Sequence, residues 1–492
     1  MSKFSDYLQF LIKRRGESIS AVSRNAGVER TSIHKAMTGE RILSYKNTRQ
    51  LADYLQLSPK EMQTFLEYHA MLLQGEAAFE TRNEIVQFMV SFASLDEAIL
   101  QQDDTFRMEG KEKIDAPEGF WAGEHVTRTV LRTAIRKELM EPHPQITLMI
   151  PMMHGYFFHF LCTLYRQYDT NLRITHIVPI EDADQDDSVA RIRILKYSAA
   201  LSLIAEEKYK AAFFYDHGDH SAMPFPYYVL TSSQVLFMDG SFENIMSVTN
   251  LNIRQYVSRT FQQTFLYTHP LIQMETGEDA VLKMLMEPEA GGRFFRLAWQ
   301  PFLVGFASRS EIRRRIRPEC LGEDSVWRKA LEYPDFIWKL KNVGYHFLAF
   351  TKEGIRSFME EGIIPETIRD VSSPFSEHER ILLLERLIRV IEEDIMDGRL
   401  INELLLDMPK GLRFGFSATR FDIYLGRSDE SDRVYNMSVP SLNLAKTFLD
   451  FAEYLPRSEY VLDKEETLLW LRELAQEYRV RTDGLLKAKK PL

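Results

Sequence analysis

Four stretches of this 492-residue sequence bring chemistry-bearing side chains close together, and each permits a different chemistry. In YDHGDH (215–220), Asp216, His217, Asp219 and His220 offer the carboxylates and imidazoles that hold divalent metals. The run follows an apolar strand pattern and lacks the helical spacing that fixes ligand geometry, so it reads as a solvated or effector-contacting loop. In MMHGYFFH (152–159), His154 and His159 stand on an apolar helix pattern and read as core or pocket-lining groups. EDADQDD (181–187) reads as a solvated turn. The fourth stretch, ERTSIHKAMTGER (29–41), offers no nucleophile or metal set. Its arginine, threonine, histidine and lysine are instead the types that hydrogen-bond base edges and phosphates.

Known catalytic patterns are missing: no GxxxxGK[ST], GxGxxG, HExxH or GxSxG occurs. No catalytic residue, metal ligand or cofactor is assigned, and the expectation is a chain that is not an enzyme. The basic run IRRRIR (312–317) reads as a solvated helix face.

The elements that must position residues 29–41 are legible in the flanking sequence. Tyr7, Leu8, Leu11 and Ile12 mark a first helix. Ser18 or Ser20 can cap a second, running through Val22 and Ala26 to a stop at Gly27. Glu29 to Met37 form a third, with Ile33 and Ala36 inward and Gly39 closing it. Leu51, Ala52 and Leu55 mark a fourth, and Ser58-Pro59 opens a fifth. Two short helices joined at a glycine corner meet the requirement of a helix-turn-helix. On the second of them Glu29, Arg30, Thr31, His34 and Lys35 face away from Ile33. Thr38 and Arg41 follow at its end, where phosphate contacts fix register.

VSRNAGVERTSIHKAMTGER followed by LADYLQLSPKEM resembles the Cro/repressor-type (XRE) helix-turn-helix family over residues 4–69. Val22, Ser23, Gly27, Val28, Ile33, Gly39, Leu51, Ala52, Leu55 and Leu57 fall into the family's register. The sequence departs from it at Ile19, where glutamine is frequent, and at Met37-Thr38, where glutamate usually precedes the closing glycine. The resemblance implies base reading by Glu29, Arg30, Thr31 and Lys35, phosphate contacts from Ser32 and Thr38, and binding to near-palindromic operators as a homodimer.

Charge is distributed to match. Residues 1–69 hold 11 Lys and Arg against 7 Asp and Glu, leaving 50 basic and 64 acidic residues elsewhere in a chain of net charge −10. A basic head on an acidic body fits a localised nucleic-acid contact and excludes general coating of nucleic acid. Two cysteines, Cys162 and Cys320, exclude a disulfide scaffold and point to a reducing compartment. MSKFSDYLQFLIKRR has its charges after its apolar patch, the reverse of a signal peptide. ITLMIPMMHGYFFHFLCTLY (146–165) is interrupted by Pro151 and Gly155 and reads as a buried strand, a corner and a helix rather than a membrane span. The expectation is a soluble, cytoplasmic chain with no membrane partner.

Beyond the head, Phe79, Ile85, Phe88, Met89 and Phe92 mark a long amphipathic helix, and 101–119 reads as a linker. Strand and helix patterns then alternate, predicting an α/β body with a substantially parallel sheet. The stretch 227–265 has a counterpart in 412–451. Each has two strands around a Ser-containing turn, then Met-Ser-Val and an amphipathic helix. Helices at Val126–Leu139 and Glu379–Glu392 read as equivalent elements preceding them. The fold expected is multidomain, an all-α helix-turn-helix head followed by an α/β body of two related strand-helix units. Its boundaries are 1–69 head, 70–119 connecting helix and linker, 120–270 first unit, 271–340 mixed segment and 341–492 second unit. The tandem is similar to the phospholipase D-like fold, whose His-x-Lys chemistry is missing here. The function expected is a DNA-binding transcriptional regulator, of repressor type, whose body senses a small-molecule or peptide effector and dimerises. The alternative is an enzyme or defence effector that uses the head as a targeting module.

Overall fold

The computed structural model describes residues 2–92, 118–151, 155–167, 171–181, 188–216, 224–286, 292–322, 344–363, 371–426, 434–440 and 442–488, with positions 325, 327, 328 and 331. It divides into two compact units, Met1–Val86 and Gln87–Leu492, here the head and the body.

The head is all-α, as the spacing predicts. Its helices are α1 (Lys3–Arg15), α2 (Ile19–Ala26), α3 (Arg30–Thr38), α4 (Tyr45–Tyr54), α5 (Pro59–Gln74) and α6 (Glu76–Ser91), the last belonging to the body from Gln87. Local chemistry sets the boundaries. Ser18, Ser44 and Ser58 each accept a backbone N–H at a helix start, and Ser58 with Glu61 completes a capping box before Pro59. Gly27 and Gly39 end α2 and α3 at φ 69° and 81°, left-handed values that cost other residues about 1–2 kcal/mol. Phe4, Leu8, Val22, Val28, Ile33, Ala36, Leu51 and Phe65 form one buried cluster.

The body holds two sheets. In its first half, β1 (Gly119–Ala122), α7 (Glu124–Glu138), β2 (Gln145–Met149), α8 (Gly155–Gln167), β3 (Arg173–Glu181), α9 (Ser188–Ala205) and β4 (Tyr209–Asp216) follow in order. Then come β5 (Tyr227–Leu230), β6 (Val235–Met238), β7 (Asn244–Val248), α10 (Leu251–Phe265) and the two-residue β8 (His269–Pro270). The sheet order is β1-β7-β6-β5-β2-β3-β4-β8.

The second half runs through β9 (Gln273–Thr276), α11 (Gly277–Met286), β10 (Phe294–Ala298), α12 (Arg309–Arg313), β11 (His346–Phe350), α13 (Lys352–Glu361) and α14 (Glu377–Glu392). It continues through β12 (Asp397–Leu400), β13 (Leu412–Phe416), β14 (Phe421–Gly426), β15 (Val434–Val439), α15 (Leu442–Tyr454) and α16 (Lys464–Ala488). Its sheet order is β12-β11-β10-β13-β14-β15-β9.

The two orders are one topology. Reading β1 as β9, β2 as β10, and so on to β7 as β15, every neighbour and every direction matches. Three strands are parallel and the remainder antiparallel in each. The Met-Ser-Val repeats coincide as Met246–Val248 on β7 and Met437–Val439 on β15. The two related strand-helix units are therefore present, with two corrections.

The sheets are mixed rather than substantially parallel, because helical crossovers join only β2 to β3 to β4, and β10 to β11 to β12. The rest pair antiparallel, through hairpins such as β5–β6 and β13–β14 and between strands distant in sequence such as β1–β7 and β2–β5. The mixed segment 271–340 supplies β9 and β10 to the second sheet. And α14 leads into β12, so its counterpart is α9, while α7 corresponds to α11. Residues 146–165 fold as strand β2 and helix α8, and among the described residues no helix is long and apolar enough to cross a membrane.

Candidate nucleic-acid interface

Helix α3 is held from below. Ile33 and Ala36 are buried, the Ser5 hydroxyl of α1 donates to the Ala36 carbonyl at 2.8 Å, and the Gln9 amide donates to the Met37 carbonyl at 2.8 Å. These two bonds satisfy C-terminal carbonyls that a helix cannot pair itself, and they fix α3 against α1. Gly27 lets the chain turn from α2 into α3 within three residues.

The opposite face is solvent-exposed: Glu29, Arg30, Thr31, His34, Lys35, Thr38 and Arg41 all lie there. Among the described residues no hydrogen bond or ion pair engages the side chains of Arg30, His34, Lys35 or Arg41. Four other cations of the head are committed to carboxylates. Lys3 pairs with Glu76, Arg14 with Glu61, Arg15 with Glu17, and Arg49 with Asp53 at 3.7 Å. Among the described residues Lys13, Arg24, Lys46 and Lys60 are exposed without an ion pair as well, so α3 and the turn after it carry three of the seven unpaired Lys and Arg of residues 1–69, Arg30, Lys35 and Arg41.

Glu29 is the N-cap residue of α3 rather than its first helical residue, and it makes no side-chain cap bond. Its carboxylate accepts instead from the hydroxyls of Thr31 and of Ser32, the latter at 3.2 Å. The Thr31 bond, then the Ser32 bond, then the nearby charges of Arg41 and Lys35 hold the carboxyl below its ordinary range. Thr38 sits at the helix end with its hydroxyl 3.1 Å from the Lys35 carbonyl and 3.0 Å from the Glu40 carboxylate.

Ser32 is a correction. It is buried and turned to Glu29, so it does not join the exposed face. The reason is helical geometry: Ser32 lies one turn before Ala36, on the same side of the cylinder, and Ala36 is inward. Sequence reasoning also missed the supports behind α2 and α3. Asn25 donates to the Tyr54 hydroxyl at 2.9 Å, Tyr54 donates to Glu17, and the Arg15 guanidinium lies over the Tyr54 ring at 4.6 Å. Buried His69 contacts the Leu43 carbonyl at 2.8 Å. No spacing rule reveals such long-range pairs.

In the body, His217, Asp219 and His220, together with His154 and residues 182–187, lie outside the described residues. Among the described residues no group of three or more His, Cys, Asp or Glu could hold a metal ion. The IRRRIR run is partly structural, since Ile316 is buried and Arg315 pairs with Glu379 while lying 5.1 Å from the Phe375 ring. A cleft of about 1610 Å³ opens at the amino ends of β2, β3 and β4. Its polar lining includes His143, Thr147, Arg173, Thr175, Lys208 and Lys210.

Buried His176 accepts or donates at 2.8 Å to the Tyr209 hydroxyl and at 2.8 Å to the Ile150 carbonyl. Burial pushes its imidazole down to about 4. The second sheet carries a buried polar row: the Ser438 hydroxyl donates to Asp422 at 2.5 Å, and Arg420 pairs with the same carboxylate at 2.7 Å. Arg413 lies on the same face, 5.3 Å from the Tyr424 ring.

No family model matches the sequence, and no curated protein is similar to it. Among solved structures, an archaeal chromatin protein, TrmBL2, described as showing a novel mode of DNA binding, is 14% identical. The likeness covers 44% of this chain and 70% of that one, with a TM-score of 0.23. The phosphatidylserine synthase of Haemophilus influenzae Rd KW20 is 9% identical, with 75% of this chain and 94% of that one covered and a TM-score of 0.24. Likenesses this distant assign no chemistry to any residue. The second is an enzyme and stands against the expectation of a chain that is not an enzyme, which rested on missing motifs alone and is withdrawn.

Proposed function

We propose that this chain is a sequence-specific DNA-binding transcriptional regulator of the Cro/repressor type. Helix α3 enters the major groove of an operator half-site. Arg30, Thr31, Lys35 and Glu29 meet base edges, and Thr38 and Arg41 meet phosphates. The body brings two heads together and takes up a small polar effector, for which the cleft beside Arg173 and Lys210 is the available space.

One observation carries the reading: Arg30, His34, Lys35 and Arg41 are exposed around a helix whose other side is locked by Ile33, Ala36 and two bonds from α1. A rigid helix presenting uncommitted cations loses little on meeting DNA. Four other cations of the head are already tied to carboxylates. Selection of bound sequences from a random DNA pool tests the proposal. Enrichment of a near-palindrome is expected, and its weakening on addition of cell extract would reveal the effector. A pool that returns unenriched rules the reading out.

A further inference from the structure

The two halves of the body share a topology but not a covering. Helices α10 and α15 occupy the same place, each following Met-Ser-Val and each beginning Leu-Asn. Helix α15 is enclosed: Leu444, Ala445, Phe448, Phe451 and Ala452 are buried, and it packs against β10, β13, β14 and α9. Phe88, from the end of α6, adds a ring 5.4 Å from Phe448.

In α10 only Val257 and Phe261 are buried. Leu251 is 57% exposed, Ile253 41%, Tyr256 70% and Phe265 38%, and Leu266 and Tyr267 in the following turn are 80% and 82%. Ile253 stands where α15 has Leu444, which is 1% exposed. Phe120 of edge strand β1, 58% exposed, extends the surface, because it pairs with Met246 on the sheet face that α10 packs against.

We infer that α10 and the turn after it form the surface through which two copies of this chain associate. Three observations select that occupant. The first is area. The exposed parts of these seven side chains, set on both flanks of α10 about a polar ridge, sum to roughly 800 Å², close to one partner's share of a standard interface. An isologous contact uses the surface twice and reaches the size a stable dimer needs.

The second is spacing. Ile253, Tyr256 and Thr260 recur at three- and four-residue steps along one flank of α10, the spacing of a seam that another helix fits, with Thr260 small enough for close approach.

The third is charge. Residues 250–269 contain no Asp or Glu and two arginines, of which Arg254 donates to the Ser232 carbonyl within its own chain. A nearly neutral apolar seam suits a second copy of itself better than a polyanion. The inference rests on the proposed function only in that a near-palindromic operator requires two heads.

The test uses the full-length chain in sedimentation equilibrium without DNA. Wild type is expected to be dimeric at micromolar concentration. Tyr256→Glu, on a side chain already in solvent, is expected to weaken the dimer about 100-fold while leaving the thermal midpoint of the monomer unchanged. Thr260→Cys is expected to give an intermolecular disulfide on mild oxidation, which keeps the test open if the glutamate variant misfolds. A monomeric wild type, or a Tyr256→Glu chain that dimerises as tightly as wild type, overturns the inference. A wild-type monomer that still binds a half-site removes this surface and leaves the DNA reading standing. A dimer that selects no DNA sequence does the reverse.

Discussion

Arg30→Ala is the sharpest perturbation of the proposed interface, because nothing in the head depends on that side chain. Arg30 is exposed, it opens α3 without capping it, and no ion pair among the described residues is lost with it. Arginine to alanine also keeps helix propensity near its maximum. The variant should therefore fold and melt as wild type does. Its whole effect should appear on DNA. One bidentate contact to a guanine is worth about 1–3 kcal/mol, a loss of roughly 5- to 150-fold per half-site, with relaxed preference at a single position of the selected operator.

Arg41→Ala should behave differently, losing affinity evenly across sequences, whereas Lys35→Ala should relax preference at a position of its own. If Arg30, Lys35 and Arg41 each neutralise one phosphate's worth of charge, a half-site should show a log–log salt slope of about −2.7 and a two-head site about −5, each removal lessening it by about 0.9 per head. Fluorescence anisotropy on the selected operator over a range of salt reads both quantities. An Arg30→Ala chain that binds as tightly as wild type, or a slope near zero, would falsify the assignment of α3 as the reading helix.

One pH titration of wild type and two further variants probe the scaffold. His176, held near 4 by burial, is neutral in the folded chain and charges on unfolding below its ordinary 6.5. Stability should fall as pH drops from 6.5 towards 4, by about 3 kcal/mol at the lower end; urea midpoints of wild type that stay flat across that window would refute it. Glu311 runs the opposite way. Two bonds from Arg386, at 2.8 and 3.1 Å, with the Ser308 cap, hold its carboxyl down at about 2, so its contribution is complete above 4.5 and lost as pH falls towards 2. Glu311→Gln should cost about 2 kcal/mol at neutral pH and abolish that acid limb. Gly362→Ala forces φ +68° on a residue whose Cβ would lie 2.4 Å from the Phe375 carbonyl oxygen. A loss of about 2–4 kcal/mol in denaturant unfolding is expected, and a change under 0.5 kcal/mol would show that the turn yields.

How far the sequence carried differed between head and body, for a physical reason. The head is built from local signals. Ser18 and Ser58 cap, Gly27 and Gly39 stop, and Ile33 and Ala36 repeat at helical spacing, each within a few residues of what it determines. The Ser32 error was local too: the same spacing that turns Ala36 inward turns Ser32 inward, and polarity alone concealed it. In the body the repeat was visible as Met-Ser-Val, yet its partners were not. Amphipathic helices look alike at the level of pattern, so pattern alone pairs α14 with α7. Only the pairing of β12 beside β11, and of β4 beside β3, identifies α9 as its counterpart. A sheet mostly antiparallel was likewise hidden, because alternating patterns show that strands exist and not which of them adjoin.

The repeat also locates where the halves diverged, and the divergence is chemical. Ser247 and Ser438 occupy equivalent positions on β7 and β15. Across from Ser247 stands Leu236, and Ser247 turns to Gln234 at 3.4 Å. Across from Ser438 stands Asp422, itself 3% exposed and bonded to Ser438 and Arg420. A carboxylate buried that deeply is retained only if its partners offset several kcal/mol of desolvation, and removing one partner leaves the cost behind. An apolar residue at 422, as at 236, would serve a purely structural sheet with less risk. The first half has kept that inexpensive interior and exposes an apolar helix outward, whereas the second encloses the matching helix and holds polar groups within. Each half of the body thus departs from the common plan on a different side of its sheet. The first half's departure, on α10, is the surface we infer for contact between copies, and the second half's is a buried polar row that the first half lacks.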